Sequence, residues 1–117
     1  MNDNFDADKA KKFLEIREGE EKENKEIERK SIFMLAIDSL KKLFSHTSVE
    51  VYLIGSVTQP YKFHSRSDVD IVLRNFHGDR FEVWTQLELL IKKNVEVIIF
   101  ENCQFQEHVL KNGYKVL

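Results

Sequence analysis

The rhythm of apolar and polar positions changes several times along this chain, and each change marks an element. Residues 17–30 read REGEEKENKEIERK, with Ile27 the only aliphatic residue. Such a block is a solvated helix or is partly disordered. Glu18/Lys22, Glu21/Lys25 and Glu26/Lys30 stand four apart with the acid first, an order that supports a helix. Gly19 interrupts the block and is the point where such a helix would break. Ahead of it, Phe13, Leu14 and Ile16 suit a short docking turn. From Ser31 onward Ile32, Phe33, Leu35, Ala36, Leu40, Leu43 and Phe44 recur at helical spacing. Either Ser31 caps a separate helix there, or one helix continues from the charged block.

The pattern then shortens. A strand is predicted over 50–54, a turn with a short helix near 56–62, and a second strand over 68–73. Residues 75–79 form a loop, and Asp79 is placed to cap a helix over 80–93. Its inner face would be Phe81, Val83 or Trp84, Leu87, Leu90 and Ile91. A strand over 95–100 follows, then a helical segment over 103–111, Gly113 and a short tail. No internal repeat is evident. This order predicts an α/β (α+β) domain over 31–117, a small mixed sheet with helices packed against it. Residues 1–30 would be its charged, helical or partly disordered N-terminal extension.

Composition narrows the function classes. A chain of 117 residues, 42% hydrophobic, fits one domain with a real core. Its net charge of −2 leaves no basic excess to neutralise phosphates, so direct nucleic-acid binding is not expected. Cys103 is the single cysteine, which excludes an internal disulfide and suits a reducing compartment. No apolar run approaches the roughly 20 residues of a membrane span. Met1-Asn2-Asp3-Asn4 is polar and unlike a signal peptide. A cytoplasmic domain is therefore expected.

The candidate chemistry lies mid-chain. Val51-Tyr52-Leu53-Ile54 runs into Gly55-Ser56, and Asp68-Val69-Asp70 opens the next apolar run, Ile71-Val72-Leu73. Glycine permits a sharp turn and close approach of a phosphate. Ser56 adds a hydroxyl and an amide at a helix start. Alone, this pair also fits an ordinary turn. Asp68 and Asp70 share one face of their strand, because side chains alternate. Two like charges among apolar residues need a partner, and a metal is the simplest. The alternative is a pair of solvent-facing edge acids. Glu96 is the only charge in Val95-Glu96-Val97-Ile98-Ile99-Phe100. If its strand lies beside 68–73, three carboxylates can hold two magnesium ions. Otherwise Glu96 faces solvent or pairs with Arg74. Lys62, His64 and Arg66 lie between the motif halves, as clamps on a triphosphate or as solvated charges. Cys103, His46, His77, His108 and Trp84 carry no evident motif.

The string Gly55-Ser56…Ser67-Asp68-Val69-Asp70-Ile71-Val72, with Glu96 later, resembles the minimal nucleotidyltransferases of the DNA polymerase beta superfamily. The resemblance covers roughly residues 32–117. Two features depart from it. The spacer of 11 residues, 57–67, is one longer than usual, and it lacks the second glycine, with Pro60 nearby instead. The third acid is glutamate rather than aspartate, as in related aminoglycoside nucleotidyltransferases.

The resemblance implies a polymerase-beta-like fold and an enzyme transferring AMP from ATP. Asp68, Asp70 and Glu96 would be catalytic and would bind two Mg2+ ions. Gly55, Ser56, Lys62 and Arg66 would bind the nucleotide. It also implies a partner. Such chains act as antitoxins that modify a tyrosine of a HEPN-type RNase toxin, in a hetero-oligomer. The small domain agrees, since it leaves little sequence for a separate acceptor-binding unit. Two alternatives stand beside this reading. One is a binding module that neutralises its partner by occlusion; the other is a transferase acting on a small molecule such as an aminoglycoside.

Overall fold

One 38-residue helix, α1 (Ala7–Phe44), dominates the computed structural model, which describes residues 6–64 and 66–117. Met1 to Asn4, read above for their polarity, and Ser65 of the spacer lie outside the described residues. Asp6 caps α1, its carboxylate accepting from the amides of Asp8 and Lys9 at 3.0 and 3.2 Å. The helix passes through both Gly19 and Ser31 without a break. Gly19 faces open space, and one glycine costs a helix only about 1 kcal/mol against alanine. At 1.5 Å per residue α1 spans about 57 Å, most of the 75 Å long axis.

Only the second half of α1 is packed. Residues 7–25 are exposed apart from a partly covered Ala10, so Phe13, Leu14 and Ile16 project into solvent. From Glu26 onward an inner face forms: Glu26, Arg29, Ala36, Ile37, Leu40 and Phe44 are buried. Leu35, expected on that face, is 41% exposed. It sits about 140° around the helix from Leu40, and Ile37 fills the core instead.

The sheet has strands β1 (Glu50–Ile54), β2 (Val69–Arg74), β3 (Val95–Ile99) and β4 (Tyr114–Lys115) in the order β3-β2-β1-β4. β1 pairs antiparallel with β2 and β4, and β2 pairs parallel with β3. The parallel pair requires a crossover, supplied by helix α2 (Arg80–Ile91). Alternation along the strands divides the core in two. Val51, Leu53, Val69, Ile71, Leu73, Val95 and Val97 face α1 and α2. Tyr52, Ile54 and Val72 face Phe100 and Val109 of the short helix α3 (Gln106–Asn112). This second layer is thin, and it leaves the end of the sheet near Asp70 partly uncovered.

α2 begins as expected, with Asp79 accepting from the amide of Phe81 at 2.9 Å. It ends at Ile91, because Lys92 turns left-handed (φ 58°). Leu87 and Ile91 are buried, with Val83 and Trp84 partly so. Phe81 is 73% exposed; it lies about 120° around the helix from Leu87 and misses the sheet. Leu90 is also largely outside. Among the described residues no helix is long and apolar enough to cross a membrane.

Candidate functional site

β1 leaves the sheet at Ile54, and Gly55 makes the turn with φ 77°, opening a 3₁₀ turn over Gly55–Thr58. Thr58 Oγ1 donates to the Gly55 carbonyl at 2.7 Å, and the Gln59 amide donates to the Ser56 carbonyl at 3.1 Å. Ile54 is paired with Asp70, so the Asp70 carboxylate lies directly over Gly55. A Cβ at residue 55 would stand 2.7 Å from Asp70 Oδ2. Glycine is thus required twice, for the left-handed backbone and for the close approach. The two halves of the motif, separated by the spacer in sequence, are in contact.

β3 completes the row. Its parallel register sets Glu96 beside Asp70. Both point to the face that carries Tyr52, Ile54 and Val72. Asp68 precedes β2 by one residue and is exposed, as is Glu96, while Asp70 is half-buried. Burial, then the charge of Glu96, then that of Asp68, push the Asp70 carboxyl up from 3.8 to about 6. Each of these influences acts in that direction, and none of them comes from a cation of the described residues. Arg74, the alternative partner for Glu96, pairs with Glu50 at 3.5 Å at the far end of β2. Among the described residues no three acids, imidazoles or thiols gather closely enough to hold a metal ion together, Asp68, Asp70 and Glu96 included. Magnesium needs no such cluster: one or two carboxylates suffice when substrate phosphates and water supply the remaining oxygens. The donor set and the uncompensated charge at Asp70 fit that ion.

Glu96 also borders an open cleft of about 390 Å³ running towards α3, walled by Arg80, Ile98, Asn102, Cys103 and Phe105. Arg80 is fixed there by donating Nε to the Val97 carbonyl at 2.9 Å. Cys103 is half-buried in that wall and packs on the α3-side core.

The spacer is held from the other side. Glu26 and Arg29 of α1 are 3% and 7% exposed. Arg29 Nε donates to Glu26 Oε1 at 2.8 Å, and Arg29 Nη1 donates to the Val57 carbonyl at 2.9 Å. Glu26 Oε2 accepts from the Tyr61 amide at 2.6 Å. Tyr61 has φ 63°, and its hydroxyl donates to Glu23 at 2.9 Å. The hydrogen bonds from Arg29, with that from the Tyr61 amide, keep the Glu26 carboxyl below its usual 4.5 against the effect of burial. The expected pair Glu26/Lys30 is thus replaced by Glu26/Arg29, one helical turn facing inward. Lys62 and His64 consequently line a hollow shared with Lys22 and Lys25 of α1, and Arg66 is exposed. Sequence reasoning passed over Glu26 and Arg29 because the block around them reads as solvated. The signal was present: stepping back from Leu40 by threes and fours through Ile37 and Phe33 reaches Arg29 and Glu26.

No protein-family model matches the chain, and no curated protein matches it. The functional reading therefore stands on the residues and their geometry.

Three outcomes test this geometry. Gly55→Ala will destabilise the fold by about 1–3 kcal/mol of backbone strain, plus displacement of Asp70, measured by chemical denaturation. A loss below about 0.5 kcal/mol would contradict the contact. Asp70 binds its proton more tightly folded than unfolded, so its penalty is absent below 3.8 and complete above about 6. In chelator, Asp70→Asn will therefore melt higher than the parent at pH 8 but not near pH 3. Magnesium will narrow the pH 8 gap by stabilising the parent. Equal melting at pH 8 would contradict the uncompensated charge. Arg29→Met will strand a buried carboxylate, lower the melting temperature at pH 7 and speed exchange of the Tyr61 amide. In the parent, stability from Glu26 persists above 4.5 and is lost as pH falls through its lowered folded value. Unchanged melting of Arg29→Met would show that the pair does not hold the spacer.

Proposed function

We propose that this chain is a magnesium-dependent nucleotidyltransferase with a polymerase-beta-like fold. In this reading it transfers AMP from ATP to a tyrosine hydroxyl of a HEPN-type RNase toxin and so acts as its antitoxin. The observation that carries the reading is the row of Gly55 (just past the end of β1), Asp70 of β2 and Glu96 of β3, with Asp68 one residue before β2. A left-handed glycine turn beside a carboxylate held near 6 by burial and then by its acidic neighbours is an arrangement suited to a cation and a phosphate together.

The residues take the following roles. The Gly55-Ser56 turn receives the triphosphate through backbone amides and the serine hydroxyl. Asp68 and Asp70 hold the magnesium ions, which when bound neutralise the phosphates and polarise the α-phosphorus. Glu96 completes the carboxylate set and takes the proton of the acceptor hydroxyl. The acceptor oxygen bonds to the α-phosphorus as the bond to the bridging oxygen breaks, and pyrophosphate leaves. The cleft beside Glu96 is open to solvent, and a partner can present its acceptor there. A second protein supplying that side chain suits a domain whose described residues form one small four-stranded sheet.

A second reading is neutralisation by occlusion, without transfer. The observation in its favour is the spacer itself, clamped to α1 with Lys62 turned into the hollow beside that helix.

Intact mass of the partner after coexpression separates the two. The proposal expects a gain of one or more nucleotidyl units. It expects Asp70→Asn to lower transfer by roughly 100-fold or more while the chain still melts cooperatively. Undiminished transfer by Asp70→Asn would sink the proposed site. Full neutralisation by an Asp68→Asn/Asp70→Asn chain without any mass gain would establish occlusion.

A further inference from the structure

We propose that the hollow between α1 and residues 61–64 is a binding site for a polyphosphate-type anion, of which pyrophosphate is the simplest. The site is separate from the carboxylate row. It measures about 450 Å³, and its walls are Lys22 and Lys25 on one side and Tyr61, Lys62, Phe63 and His64 on the other. None of these residues belongs to the Gly55, Asp70 and Glu96 row.

The hollow is a built feature. Its spacer wall is fixed at both ends of a short arc, at the Val57 carbonyl by Arg29 and at the Tyr61 amide by Glu26. Phe63 is buried and packs in the main core, with the Lys93 ammonium 5.3 Å from its ring centre. Lys62 and His64, on either side of that anchored ring, are exposed. The helix wall is equally regular, since residues three apart on a helix stand about 5–6 Å apart at Cβ. Lys22 and Lys25 thus stand on one face of α1, and both border the hollow.

The charges are uncommitted. Glu18 and Glu21 lie four residues before Lys22 and Lys25, yet among the described residues neither lysine makes an ion pair, nor does Lys62. Glu21 approaches Arg17 instead, at 3.8 Å, and Glu26 is engaged by Arg29 and the Tyr61 amide. Glu23 accepts the Tyr61 hydroxyl. Three ammonium groups without an ion pair among the described residues therefore border one hollow. Lysine serves phosphate as a mobile point charge. The 59% exposed Tyr61 offers a ring edge beside it. The inference goes beyond the proposed transfer, because it needs neither magnesium nor catalysis.

The test is calorimetric titration of the full chain with pyrophosphate, in chelator and low salt, alongside amide shifts of residues 61–64. The chelator removes any contribution from a metal at the carboxylates. Saturable binding with shifts at Lys62 and His64 is expected. Lys22→Ala/Lys25→Ala should weaken it by about tenfold or more and melt like the parent. Asp68→Asn/Asp70→Asn should bind as the parent does. ATP should bind comparably if the tail of a nucleotide is a source, and AMP should bind far more weakly in either case. Absence of saturable binding, indifference to the lysine pair, loss of binding in the aspartate variant, or AMP binding as tightly as pyrophosphate would each overturn the proposal. A chain that binds pyrophosphate in this way but never transfers AMP would leave this site standing and remove only the enzymatic reading.

Discussion

The Asp70 carboxylate rests on the bare Cα of Gly55, and the candidate site depends on that contact. It exists because β1 and β2 pair so that Ile54 faces Asp70, leaving residue 55 the first position beyond the ladder. A left-handed turn there lets the chain drop under the carboxylate without a side chain in the way. Parallel pairing of β2 with β3 then puts Glu96 on the other side of the same aspartate. Burial and like charge raise Asp70 to about 6, which destabilises the ionised protein near neutral pH. That cost falls at the strand end where the proposed function places its metal ions.

The long helix serves this arrangement from behind. Its second half closes the main core with Ala36, Ile37, Leu40 and Phe44. About two turns back from Ala36, the same inner face changes from apolar to charged, and Arg29 and Glu26 grip the backbone within and just after the 3₁₀ turn, at the Val57 carbonyl and the Tyr61 amide. The buried pair satisfies groups of the spacer that would otherwise lack partners, and each member satisfies the other. Its consequence for chemistry is positional: the long spacer is drawn towards α1, and its cations meet those of the helix. Two surfaces of opposite charge result, carboxylates on the α3 side of the sheet and ammonium groups beside α1.

Much of the fold was legible residue by residue. β1 was expected over 50–54 and is found there, since an unbroken apolar run ending at Gly-Ser has few other readings. β3 and the start of α2 at Asp79 were equally plain. The expected end of α2 ran two residues long, because nothing in the local pattern announces that Lys92 adopts the left-handed turn. The tail at Tyr114 and Lys115 forms β4, a pairing with β1 made across more than sixty residues and invisible to any window. Gly19 did not stop α1, for a single glycine is a weak breaker inside a long solvated helix. The charged block was read as solvated from composition, which averages over faces. Its inner face is two residues wide, and those two hold the spacer.

The sequence by itself determined which residues stand out as candidates for chemistry. Glycine, serine and three acids interrupt apolar runs where charge and flexibility are costly, and that cost is visible without coordinates. Alternation along a strand also gave the expectation that Asp68 and Asp70 share a face, although the strand itself opens at Val69, one residue after Asp68. Tertiary structure alone decided which strands are neighbours and in what register, and hence that Glu96 stands beside Asp70 rather than beside Arg74. It alone decided that Lys62 and His64 turn to α1, because that depends on a buried ion pair formed 35 residues away in the chain. Periodicity reports what a segment exposes to its own neighbourhood. Which distant backbone it meets is set by how the two cores close around the sheet.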